Sequence, residues 1–481
     1  MYLKFFILFV LILSNSLGFA EKSKPLDVYL LRKSIHLGDV AFSVTTQNDE
    51  AKQHFLLGTA FLHAFMYDLA IAQFQEAQRL DPGFAMSYWG EAMSYKHPIW
   101  NYEDLKAGQS VLNRYQTNPK KSSLSEKERG YMQSVSLLFS NRPLLERDQD
   151  YLIAMKKLAE KYPTDPNIGA FYALALLGIA SDFPDQSFAE SYVKKGRAYI
   201  DGLFNKFQQH PGVVHYYLHY HDTADNTLAK EALPAAKIAL NVMKSSSHVT
   251  HMSAHIYRRL RLWDDYILAN KISVEAANSL CKQLDIQPFE SCNAENKYHS
   301  LEWLHDGYLT THQFDKATIL VQEMMMVAAR QPEIIFKQWL YRMWARQVLL
   351  TQNWNMSIIP LQSIAKSDDQ LYWSAYSECG ALQASSFIAI HNKQSIQKQL
   401  QRLDAVIELT KTLTDPYIRQ SCEIARAEIK AESARVKGEK AVADHWVKKA
   451  LDLQKKLIST ELTPSLSFLT AQDYYKNYRF E

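Results

Sequence analysis

The chain is 481 residues long, 47% hydrophobic and 22% charged, the balance of a folded chain rather than a disordered one. Its formal net charge is +3 and its lysines and arginines form no long run, so the clustered positive footprint of a nucleic-acid binder is missing. Glycine supplies only 15 residues, well below its usual share of about 7%, which disfavours turn-rich sandwiches and barrels and favours an all-α fold.

At the N-terminus Lys4 precedes an apolar run over 5–13, followed by small and polar residues that end in Gly18 and Ala20. This is the pattern of a secretory signal peptide, 1–20, cleaved after Ala20. The run is shorter than the roughly 20 apolar residues a membrane span needs, and nothing later is long and apolar enough. A periplasmic or secreted chain with no transmembrane segment after signal removal is expected. A polar lead-in covers 21–48, a continuous helical array 49–458, and an aromatic, polar cap or tail 459–481.

The array opens with its strongest pattern. Leu57, Gly58, Phe61, Ala70, Phe74, Ala77 and Pro82 occupy the set positions of a tetratricopeptide (TPR) hairpin, a repeat of about 34 residues. Small Gly58 and Ala70 let two helices approach, Phe61 and Phe74 fill the gap, and Asp81-Pro82 ends the second helix. A helix over 84–96 continues the pattern with Tyr88, Ala92 and Tyr95. His97-Pro98-Ile99-Trp100 and a polar stretch to Ser125 then stand in place of a tight second helix. Helices are predicted over 125–140, 150–162, 171–180, 187–207, 212–221 and 228–243, with Pro211 in the first turn of the fifth, where a missing N–H costs nothing. A hairpin of 248–260 with 263–282 follows, then a loop whose flanking Cys281 and Cys292 are expected to bridge. The helix 297–311 has its return helix opening at Ala317, and three more hairpins pair 334–350 with 354–365, 370–391 with 393–411, and 416–436 with 440–457. Cys379 and Cys422 read as unpaired thiols in helix cores, and no cysteine has the CxxC spacing of a redox or zinc motif. With no Gly/Ser- or Pro-rich linker, the chain reads as one solenoid whose repeats bury their faces against neighbours.

Seven of the sixteen histidines fall between 210 and 255: His210, His215, His219, His221, His248, His251 and His255. The pairs His215/His219 and His251/His255 are four apart, the spacing that puts two imidazoles on one helical face. This block resembles bacterial, often exported tetratricopeptide-repeat proteins. They share patterns similar to His210-Pro211-Gly212, His215-Tyr216 and His219, then His251-Met252, His255-Ile256, Arg259-Leu260 and Trp263, then Tyr298-His299, Leu301 and Trp303-Leu304. The resemblance implies a right-handed superhelical solenoid of helix hairpins and implies no activity.

Two readings of the block stay open. In one, His215, His219, His251 and His255, with His299 as a possible fifth ligand, hold zinc or another transition metal, and Asp222, Glu295 and Glu302 are the nearest carboxylates. In the other, the imidazoles are hydrogen-bonded groups of a helical interface or contact an organic ligand, with His215, His219, His251, His255, His299, Tyr216, Asp222, Arg259 and Trp303 around the pocket. The first leads to a metal carrier or a metal-dependent, hydrolase-like enzyme, the second to a scaffold that holds a protein, peptide or small ligand in a concave surface. Neither pair has the HExxH form, so a zincin-type protease is disfavoured. A GxSxG elbow, a phosphate-cradling loop and a dinucleotide fingerprint are all missing. Met324-Met325-Met326 and the Trp/Tyr groups at 88–100 and 339–373 read as core rather than as a copper site or a peptide groove.

Overall fold

In a computed structural model the residues described are 28–456, without 101, 183–185, 224, 287–291, 369 and 415. The expected leader and the tail beyond 456 lie outside them. The fold is an all-α array of tetratricopeptide-like helix hairpins. Among the described residues the strands amount to one antiparallel ladder, Lys96–His97 with Tyr102–Glu103. The array falls into two compact units divided between Lys297 and Tyr298, inside the Ala294–Thr310 helix.

The first unit shows why the repeat pattern folds as it does. Asn48 caps the Asp49–His63 helix by accepting the Ala51 amide, one of the orphan donors of a helix start. Phe61, Ala70, Phe74 and Ala77 are fully buried between this helix and Tyr67–Leu80. A Cβ added at Gly58 would sit 2.9 Å from the Phe74 ring, so glycine is what lets the hairpin close. Two expectations need correction here. The polar stretch after Trp100 contains a helix, Leu105–Gln116, capped by Asp104 and burying Gly108, Val111, Leu112 and Tyr115. The helix expected over 228–243 is two, Asn226–Glu231 and Leu233–Val242, broken at Ala232 where Pro234 starts a new first turn.

The Pro211–His221 helix is the hub of this unit. It packs against Asp49–His63, Pro166–Asp182, Gln186–Phe204, Leu233–Val242 and Ser247–Arg259. Helices far apart in sequence therefore meet on it.

In the second unit Phe314–Arg330, Ile334–Thr351 and Leu371–His391 pack in series, and Tyr417–Val436 lies against Leu371–His391 and Lys440–Lys456. The helix expected over 354–365 is not formed. Gln352 turns the chain with φ 50°, Pro360 cannot donate to a helix ladder, and the segment runs as a strap. Its amides at Ile364 and Ala365 donate to the buried Glu378 carboxylate, at 2.9 and 2.8 Å, and Arg402 neutralises the same group at 2.6 Å. Cys379 and Cys422 also depart from expectation. They are disulfide-bonded with Cα atoms 5.4 Å apart, because the two helices that carry them are packing neighbours across 43 residues of sequence. Cys281 and Cys292 are bonded too, with Cα atoms 6.0 Å apart. No described helix is long and apolar enough to cross a membrane.

Candidate metal centre

The Pro211–His221 helix starts where the sequence dictates. His210 is its N-cap, with Nδ1 accepting the Val213 amide at 3.3 Å, and Pro211 fills the first turn. Gly212 sits so close to His63 that an added Cβ would lie 2.3 Å from its Nδ1. That approach brings His215 one turn later under the end of the Asp49–His63 helix. There the His63 carbonyl is one of the last four that find no partner within a helix. His215 Nδ1 donates its hydrogen to it at 2.6 Å. The ring's tautomer is thereby fixed, and Nε2 carries a lone pair.

Three imidazole nitrogens converge at that lone pair. His219 Nε2 lies 3.0 Å from His215 Nε2 and 3.3 Å from His248 Nε2, and one ligand atom from each of the three rings lies within 4.8 Å of the others. His215 is fully buried, while His219 and His248 are half-buried. A single hydrogen on His219 Nε2 can bridge only one of the two contacts; a cation bridges all three rings. Two nitrogens bound to one zinc at 2.0–2.1 Å in tetrahedral geometry are about 3.3 Å apart, close to the 3.0 and 3.3 Å of the two contacts at His219. Burial, followed by the neighbouring ring, pushes each histidine well below its usual range: His219 for His215, His248 for His219, His215 for His248. All three are neutral at neutral pH, the protonation state a metal ligand needs.

An aromatic wall holds the group. Phe65 places its ring 4.4 Å from His215 and 5.7 Å from both His219 and His248, and Trp100 stands 5.7 Å from His248. Phe65 pays for this position with a φ of 58°, a left-handed conformation that costs a non-glycine residue about 1–3 kcal/mol. Strain of that kind persists only where surrounding contacts over-determine it.

His251 and His255 form a second group on the Ser247–Arg259 helix, with Nε2 atoms 3.1 Å apart. His255 Nδ1 is 2.8 Å from Asp222 Oδ2, and Arg259 Nη2 is 3.6 Å from Asp222 Oδ1. Burial works to raise the Asp222 carboxyl, yet His255 bonded beside it and then the Arg259 guanidinium bring it down to about 2. The four paired histidines of the sequence thus split between two groups, and His215 and His219 gather His248 instead of His251 and His255.

Tyr216 is fully buried with its hydroxyl 3.0 Å from His63 Nδ1, so it braces the helix approach. His299 is half-buried in the second unit beside Trp303, which is 1% exposed and belongs to that unit's core. Glu302 is an ion-pair partner: Arg342 donates to both of its oxygens at 2.9 Å, all fully buried. At Glu295 the loss of solvent around the carboxyl, followed by the Asp68 charge, pushes it up to about 7. His221 has Nε2 3.4 Å from Asp201 and 3.8 Å from Glu231, with its ring stacked on Tyr217. Two contributors were missed from sequence, His248 and the His63 carbonyl. His248 stands three residues before His251 on one helical face, a signal that was readable; the carbonyl of His63 left none.

No family model and no curated protein matches this chain. Among solved structures it is similar to yeast Tom70, at 13% identity over 90% of this chain and 89% of that one, TM-score 0.35. It is also similar to human IFIT1, as a dimer with PPP-AAAA, at 14% identity over 84% and 90%, TM-score 0.30. A third is a signal-transduction ATPase with a tetratricopeptide-repeat sensor from Pyrococcus horikoshii, at 12% identity, TM-score 0.35, where the match covers 89% of this chain but 53% of that one. At such scores the fold assignment rests on the helices and packing described above.

Proposed function

We propose that this protein is an exported helical-repeat scaffold that holds a transition-metal ion at His215, His219 and His248 and presents it to a bound ligand. The observation that carries the reading is the approach of His219 Nε2 to two other imidazole nitrogens at 3.0 and 3.3 Å, with the His215 lone pair aimed inward by its bond to the His63 carbonyl. An all-imidazole set with no sulfur suits zinc, copper(II) or nickel. Structural zinc sites are closed by four protein ligands, whereas three leave a position for solvent or substrate. Half-burial of His219 and His248 supports that open side. An ion held this way supplies Lewis-acid activation of water or a carbonyl, the basis of a hydrolase-like activity.

The leader pattern at 1–20 and the two disulfides support export to the periplasm or beyond. The hairpin array supports a protein or peptide as the molecule presented to the metal. Elemental analysis of tag-free protein purified without chelators tests the reading: at least one equivalent of zinc, copper or nickel is expected, with one equivalent fewer in a His215→Ala/His248→Ala double variant. Metal-free wild-type protein that gains no melting temperature on adding zinc or copper rejects it.

A further inference from the structure

We propose a second metal position at His251 and His255, so that the chain binds two transition-metal ions along one face of the Ser247–Arg259 helix. The proposal rests on the first position being a metal site and is argued from different residues.

The hydrogens of both rings are assigned by their neighbours. Asn270 Nδ2 donates to the Tyr266 carbonyl at 2.9 Å, which turns its Oδ1 toward His251 Nδ1, 2.8 Å away. An amide oxygen only accepts, so His251 Nδ1 carries the hydrogen. His255 Nδ1 lies 2.8 Å from a carboxylate oxygen of Asp222, which accepts, so it donates as well. In the neutral rings both Nε2 atoms therefore hold lone pairs, and these face each other across 3.1 Å. Two lone pairs at that distance repel, and a cation bound by both relieves the repulsion. An imidazole oriented by a carboxylate or amide oxygen on its far nitrogen is also the usual form of a metal-bound histidine. Both rings are buried, at 3% and 8% exposure, so the arrangement is built into the core.

The two positions adjoin. His248, His251 and His255 follow at spacings of three and four, one continuous helical face. Seven residues of helix rise roughly 10 Å. Asp222 links the two groups: it bonds His255 and is the C-cap of the Pro211–His221 helix that carries His215 and His219. A single proton shared between His251 and His255 is the competing account of the 3.1 Å contact.

The test uses the full chain stripped with chelator, dialysed free of it and reloaded with zinc(II) or copper(II). Elemental analysis should give two zinc ions per chain and one in a His251→Ala/His255→Ala variant. Electron paramagnetic resonance of the copper form should show dipolar broadening between two nearby ions, replaced by the sharp spectrum of an isolated ion in that variant. One ion in wild type with the same count in the variant overturns the second position and leaves the first. Two ions with isolated spectra overturn it also, since the second ion then sits elsewhere. No ion in wild type overturns the first position as well. Wild-type stoichiometry and spectra decide the matter even where the variant fails to fold.

Discussion

A ligand and the groups that aim it have different costs when removed, and three residues separate them. His248→Ala deletes a nitrogen 3.3 Å from His219 and should weaken metal binding at least as much as the 10–100-fold seen on losing a supporting partner, in zinc competition against a chromophoric chelator. An unchanged affinity would mean the rings are hydrogen-bonded structure and nothing more. Gly212→Ala drives a Cβ to 2.3 Å from His63 Nδ1, so the Pro211–His221 helix or the buried His63 ring must shift. A loss of about 1–3 kcal/mol in denaturant unfolding is expected, together with weaker metal binding, because His215 moves with the helix. Glu302→Ala leaves Arg342 buried and uncompensated and should cost about 3–5 kcal/mol. That loss should come without any change in metal content, which distinguishes a structural carboxylate from a ligand.

Whole helices were legible where apolar spacing repeated and illegible where a distant group supplied what the local sequence lacked. Gly58, Phe61, Ala70 and Phe74 carry their packing in their spacing, and the hairpin they specify is the one formed. The Leu105–Gln116 helix was hidden by its polar surface, although Asp104 as cap and Val111, Leu112 and Tyr115 as a buried stripe were there to be read. The strap over 354–365 could not be read at all, since what holds it, Glu378 and Arg402, comes from later helices. The histidines show the same division. The four-residue pairs were visible, but which pair gathers His248 depends on how the Pro211–His221 and Ser247–Arg259 helices cross. The Cys379–Cys422 bond likewise depends on two helices being neighbours, and its energetic consequence follows from the sequence it spans. Closing 43 residues removes loop entropy from the unfolded chain worth about 4 kcal/mol, against about 3 for the 11-residue separation of Cys281 and Cys292. Paired Cys→Ser variants should therefore lose stability in that order in urea unfolding. Equal losses, or none, would show that the bonds add no restraint beyond helix packing.

For the molecule as a whole, the same burial that keeps imidazoles neutral makes folding sensitive to acid. Burial pushes His97 down to about 4, against a smaller opposing bond to the Ser94 carbonyl; it pushes His210 and His305 down to about 3, with Arg346 adding to it at His305. In the unfolded chain each ring takes its proton near pH 6.5. Between those limits the unfolded state binds more protons than the folded state, so stability rises with pH across that window and levels off above it. At pH 5 each ring costs about 2 kcal/mol relative to pH 8, and the costs fall on both compact units, since His97 and His210 lie in the first and His305 in the second. Metal adds a second dependence of the same sign, because protons compete with the ion for His215, His219 and His248. The two are separable. With chelator present, the melting temperature should still fall steadily from pH 7 to pH 5. Zinc at a hundredfold excess over its dissociation constant should raise the curve by an amount equivalent to about 2.7 kcal/mol near neutrality, with the gap narrowing as pH drops. A chelated protein whose melting temperature is flat over that range would show that these rings are not held neutral by burial. A gap that stays constant would place the bound zinc on ligands other than imidazoles.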